Sequence, residues 1–132
     1  MRRHGLLHAE LNRLIAAMGH TDTIVIADVG LPVPAGVPCI DLALVAGTPR
    51  FVDVFDAVYR ELAVEHVTMA SEIHARNPSM VALAERLRAD GLAVDELTHE
   101  DLKCACASAR AVVRTGETSP YANAILHAGV TF

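Results

Sequence analysis

The chain has 132 residues and a formal net charge of −5, which suits one domain with its own core and argues against a phosphate-binding surface for nucleic acid. No apolar stretch approaches the roughly 20 residues that a membrane-spanning helix needs. Arg2-Arg3 are followed by His4, His8 and Glu10, too polar for the apolar segment of a signal peptide, so the chain reads as cytoplasmic with neither nucleic-acid nor membrane partners. Aromatic residues make up only 4% of a sequence that is 52% hydrophobic. The core is therefore built from Ala, Val, Leu and Ile, which lets helices sit close to a sheet in a layered α/β fold. Small side chains bury less area per residue, and oligomerisation would supplement them.

In chain order, Leu7, Leu11, Leu14, Ile15 and Met18 recur at helical spacing and Gly19 stops the run. Thr23 to Ala27 is β-branched and apolar on both sides, as a buried parallel strand requires. Three prolines and two glycines make residues 30–38 an irregular loop. Cys39 to Val45 reads as a second strand. Thr48 is expected to cap a helix with Pro49 at its first position, its stripe being Phe51, Val54, Phe55, Val58 and Leu62.

Glu65 to Ala70 is a third strand, and Asn77-Pro78 opens a helix whose inner face is Val81, Ala84 and Leu87. Ala93 to Leu97 is another strand. Thr98 then caps a helix running to about Ala109, its side chain accepting the Asp101 N–H. Val112-Val113 and Ala124 to Leu126 complete the strands. The expectation is a single-domain, three-layer α/β fold over residues 1–132 with a mainly parallel sheet.

Ligand groups gather past the carboxyl ends of parallel strands. Asp28 ends the first strand and His99 follows the fourth, so both are candidates to converge on a pocket. His20 follows Gly19, and its imidazole titrates near neutrality. It is either an acid/base group or a cap on the helix ending at Met18. Asp22 reads as a turn brace.

Tyr121 and Asn123 flank Ala122, and a phenol and a carboxamide both donate and accept towards hydroxyls. Gly116-Glu117 reads as a turn, with no paired carboxylate to make Glu117 a nucleophile. His4, His8, His66, His74 and His127 read as surface or satisfied core histidines. Cys39, Cys104 and Cys106 read as buried or half-buried free thiols. There is no metal-ligand spacing and no glycine-rich phosphate cradle, so no cofactor is expected.

Gly19-His20-Thr21-Asp22-Thr23 with Asp28-x-Gly30-Leu31-Pro32-x-Pro34, Thr98-His99-Glu100, Arg114-Thr115-Gly116-Glu117, Ser119-Pro120-Tyr121-Ala122-Asn123 and Ala128-Gly129-Val130-Thr131-Phe132 together resemble the D-ribose pyranase family. The fucose mutarotases share the Gly-His and the Tyr-x-Asn. The resemblance implies a cofactor-free isomerase interconverting pyranose and furanose forms of D-ribose in support of ribose uptake. It implies His20 as proton donor, with Asp28, His99, Tyr121, the Ala122 backbone and Asn123 as sugar-binding groups. It also implies homo-oligomeric rings, pentamers stacked into decamers. The alternatives are an enzyme acting on another monosaccharide and a non-catalytic sugar-binding module coupled to a transporter. The aromatic Phe132 needs a burial partner, so the segment from Val130 to Phe132 is expected at a subunit boundary. Tyr121 and Asn123 would then complete a pocket holding a neighbouring chain's His20.

Overall fold

A computed structural model describes all 132 residues. In order the elements are α1 (Ala9–Ala17), β1 (Thr23–Ala27), β2 (Cys39–Asp41), α2 (Phe51–Tyr59), β3 (Val64–Ala70), α3 (Ile73–Arg76), α4 (Pro78–Ala89), β4 (Ala93–Leu97), α5 (His99–Ala105), β5 (Ala111–Arg114) and β6 (Ala124–Ala128), with a 3-10 turn at Cys106–Ser108 after α5. The strands form one sheet in the order β2-β5-β1-β6-β3-β4. Five strands run in one direction; β6 alone is antiparallel, paired with β1 on one side and β3 on the other.

Alternation along the central strands sorts side chains to the two faces. Ile24 and Ile26 of β1, Val67 and Met69 of β3 and Leu126 of β6 join Leu11, Phe55, Val58, Leu83 and Leu87 in the larger core, under α1, α2 and α4. Val25, Ala27, Val112 and Ile125 meet Leu102, Cys106 and Leu31 on the opposite face, under α5 and the 30–38 loop. That is the expected three-layer arrangement. No helix is long and apolar enough to cross a membrane.

Several local expectations are corrected. The α2 helix starts at Phe51, and Arg50 at its N-cap makes no side-chain cap bond. Thr48 instead closes a tight turn with Val45, and the Thr48–Pro49 peptide is cis. The Phe51 N–H is satisfied from across the chain, donating to Glu117 Oε2 at 3.1 Å. The second strand ends at Asp41 because its carboxylate accepts the Ala43 N–H, an Asx turn, and pairs with Arg114.

Val81 is only half-buried; the inner face of α4 is Met80, Leu83, Ala84 and Leu87, with the phase set by the Asn77 cap. The short α3 has no counterpart in the sequence reading. Of the three free thiols only Cys106 is buried, which pushes it up to about 11. Cys39 and Cys104 are exposed, on the edge strand and on α5.

Candidate active site

The carboxyl ends of β1 and β5 are tied together just above the sheet. Thr115, fully buried, donates both its N–H and its hydroxyl to the Ala27 carbonyl at 2.9 and 2.8 Å. The Val29 N–H donates to the Glu117 carbonyl at 2.9 Å. These bonds hold the Asp28 backbone rigidly where β1 ends.

Asp28 then meets Asn123 in a reciprocal lock. The Asp28 N–H donates to Asn123 Oδ1, and Asn123 Nδ2 donates to Asp28 Oδ2, both at 2.9 Å. Asp28 Oδ1 also accepts the Gly30 N–H at 2.9 Å. Asn123 is fully buried, so its amide has no water to fall back on and its orientation is fixed by Asp28. Each Asp28 oxygen has one protein donor and keeps a free lone pair, since an ionised carboxylate offers about four acceptor sites.

Beside this lock, the His99 and Tyr121 rings meet edge to face, 5.0 Å apart with 77° between planes. Tyr121 sits in the left-handed region at φ 59, uncommon for a residue with a Cβ. Its carbonyl accepts the Asn123 N–H at 2.9 Å, which folds the segment tightly over buried Ala122. His99 is held at the start of α5, its N–H donating to both oxygens of Glu72 at 3.0 and 2.9 Å. That bond, first among the causes, holds the Glu72 carboxyl below its ordinary range. Thr98 caps α5 by accepting the Asp101 N–H, as the capping box requires. His99 Nδ1 is shielded from solvent and has no partner in the chain.

His20 stands apart. It lies at the amino end of β1, whereas Asp28 follows the carboxyl end, and five strand residues at about 3.3 Å each separate the two ends by roughly 16 Å. Exposed, it places Nε2 3.1 Å from Glu65 Oε2. The nearby Thr21 N–H donates to the Ala128 carbonyl, and Asp22 accepts the Gly19 N–H, the turn-bracing role. The segment from Gly129 to Phe132 runs from this same end of the sheet, with Phe132 wholly exposed in the single chain. Asp28, His99, Tyr121 and Asn123 therefore form one cluster and His20 does not join it within a chain.

The largest cavity, about 350 Å³, touches the cluster only through Ala122 and Ser119; its other walls include Phe51, Met80 and Leu83. Within the cluster Asn123 is buried and Asp28, His99 and Tyr121 are half-buried. The charged lining of the cavity is Arg50 and Glu117, and Glu117 is already engaged by the Phe51, Thr118 and Ser119 N–H groups.

Four of the remaining histidines have ordinary partners, and His4 is exposed. His8 caps α1 by accepting the Leu11 N–H, and His74 pairs with Glu96 at 2.5 Å. His66 and His127 stack with centroids 3.7 Å apart, and His127 Nε2 lies 3.0 Å from the Thr68 hydroxyl. Burial first, and then the neighbouring His66, pull the His127 pKa down. Sequence reasoning missed the residues that aim the site: Glu72, Asn77, Thr115 and the capping role of Glu117. Only Asn77, ahead of a proline, carried a local signal.

The molecule is thus a six-stranded α/β sheet with polar groups gathered past the carboxyl ends of its parallel strands. The RbsD / FucU transport protein family model matches residues 1–131, and the chain belongs to that family. A D-ribose pyranase of Exiguobacterium sibiricum is 54% identical and one of Chromobacterium violaceum 47% identical, each over 132 residues and the whole of both chains. The structure of Bacillus subtilis RbsD complexed with D-ribose superposes with a TM-score of 0.95 at 48% identity, covering all of both chains. A fucose mutarotase from Streptococcus pneumoniae in complex with L-fucose shares the fold, with a TM-score of 0.78 at 24% identity over 96% of this chain and 95% of its own.

Proposed function

We propose that the chain is a D-ribose pyranase, an isomerase that interconverts pyranose and furanose forms of D-ribose without a cofactor. The observation that carries this reading is the split constellation. A rigid acceptor–donor lock of Asp28 and Asn123 stands beside His99 and Tyr121 at one end of the sheet, while an exposed imidazole stands at the other. The likeness to the ribose complex over the full chain supports ribose over fucose as the sugar.

The chemistry needs two proton movements. Opening the pyranose delivers a proton to the ring oxygen as its bond to C1 breaks, and removes one from the anomeric hydroxyl to leave the aldehyde. Closure through O4 in place of O5 gives the furanose and reverses both transfers. A positioned acid/base group contributes about 10²–10⁴-fold, and His20 is the group proposed for it. The free lone pairs of Asp28 accept sugar hydroxyls, and the Tyr121 phenol both donates and accepts. An orphaned polar atom such as His99 Nδ1 costs about 1–3 kcal/mol; a sugar hydroxyl reaching it after a small turn of the ring removes that cost.

His20 belongs, in this reading, to a neighbouring chain. A head-to-tail contact brings the amino end of one β1 against the carboxyl end of the next, and such contacts close into rings. The resemblance implies pentameric rings stacked into decamers, in the cytoplasm. The fully exposed Phe132 would be covered at the same contact.

The test is saturation-transfer NMR on equilibrated D-ribose. The proposal expects exchange between ring forms to accelerate with protein, while the equilibrium ratio stays unchanged. Binding without acceleration would make the chain a sugar-binding module instead.

A further inference from the structure

Asn77 is 3% exposed, and every polar atom of its side chain is engaged. Its Oδ1 accepts the Met80 N–H at 3.2 Å, which caps α4. Asp, Ser or Thr would cap a helix as well, so capping alone does not call for an amide. What only the amide adds is Nδ2, and its two hydrogens go to the Pro120 carbonyl at 2.7 Å and the Ser119 hydroxyl at 3.0 Å.

Those are the two residues before Tyr121. The Pro120 carbonyl belongs to the peptide plane about which Tyr121 turns to φ 59, so holding that oxygen holds the turn. A side chain with a Cβ does not favour this region unless its surroundings impose it. Five residues upstream, Glu72 fixes the His99 N–H. The connection from β3 to α4 thus grips both partners of the His99–Tyr121 ring pair.

We propose that Asn77 is a positioning residue for sugar binding: its amide holds Pro120 and Ser119 and so keeps Tyr121 turned towards the substrate beside His99. The proposal rests on the assignment of Asp28, His99, Tyr121 and Asn123 to the sugar site.

The experiment uses the whole 132-residue chain. N77D keeps the capping oxygen and loses the donors; N77S, whose hydroxyl caps but does not reach residues 119 and 120, covers the case in which N77D does not fold. The expected result is a folded protein with a lowered thermal midpoint, because the Pro120 carbonyl loses its buried donor, together with ribose affinity lowered about tenfold and an exchange rate at saturating ribose changed less than about twofold.

The chain has two tyrosines, so 3-fluorotyrosine labelling yields two resonances. Asn77 substitution should shift or broaden the Tyr121 signal and leave Tyr59 in place. Combining N77D with Tyr121→Phe should lower affinity no further than Tyr121→Phe alone, since the two act through one group. Wild-type affinity in a folded N77D and N77S, an undisturbed Tyr121 resonance, or fully additive losses would each overturn the proposal. If Tyr121→Phe itself binds ribose as wild type does, the sugar-site assignment is what fails.

Discussion

Replacing Asp28 by Asn separates the two roles proposed for it, holding the site together and holding a sugar. In the native chain one carboxylate accepts from the Gly30 N–H and from Asn123 Nδ2, each at 2.9 Å. An amide of the same shape has a single acceptor oxygen, so one of the two donors must lose its partner. Asn123 is fully buried while the Gly30 N–H is exposed. The cheaper arrangement therefore keeps the Asn123 bond and leaves Gly30 to water. A hydrogen bond to a charged group is worth about 1.5–3 kcal/mol, and the exposed one sits at the low end. We expect a loss of about 1.5 kcal/mol, a fall of roughly 5–8 °C in thermal midpoint for a chain of this size. If the carboxylate's free lone pairs bind the sugar as proposed, ribose affinity should fall further, by about 10–100-fold, because they lose their charge. Thermal unfolding at fixed protein concentration reads the first and calorimetric titration the second. Unchanged ribose affinity in a folded Asp28→Asn protein would return Asp28 to a purely structural role at the strand end.

Other substitutions probe His20, Glu117 and His127. His20→Ala should abolish most ring exchange with the fold intact; a helix-capping role would instead cost roughly 0.3–1 kcal/mol of stability with exchange unaffected, and thermal unfolding beside the exchange assay distinguishes the two. Burial acts to raise the Glu117 pKa, but N–H donors from Ser119, Phe51 and Thr118 outweigh it and hold the carboxyl below its ordinary 4.5. Its stabilisation is therefore present above pH 4.5 and is lost as pH falls through the folded value; Glu117→Gln should flatten that part of the acid stability curve. The depressed His127 makes the folded chain bind fewer protons than the unfolded one below 6.5, so stability should also decline as pH drops from 6.5, and a His127→Gln variant that declines identically would refute this.

Local chemistry made most of the fold legible. The strand Thr23–Ala27 and the Thr98 and Asn77 caps depend on residues within a few positions of each other, and each lies where its sequence places it. The start of α2 did not, because its cap comes from Glu117, 66 residues away, and no local pattern encodes that bond. The site divides in the same way. Residue types and strand-end positions marked Asp28, His99, Tyr121 and Asn123 as candidates, but the lock between Asp28 and Asn123 spans 95 positions. The supporting Glu72 and Thr115 act through backbone groups of distant residues, and nothing about a glutamate after a strand announces that. Separation of His20 from the cluster follows from β1 lying between Gly19-His20 and Asp28, which was readable once the strand was placed.

Subunit mixing decides whether the proposed catalytic site is shared between two chains. His20→Ala and Asp28→Asn proteins, each impaired alone, are combined in equal amounts under conditions of subunit exchange, and ring exchange of D-ribose is measured with mass spectrometry confirming mixed oligomers. In a head-to-tail ring, random mixing places an intact His20 against an intact Asp28 at about a quarter of the contacts. A shared site therefore restores about that fraction of wild-type activity. Mixed oligomers with no more exchange than the two separate variants would contradict it and place the whole site within one chain.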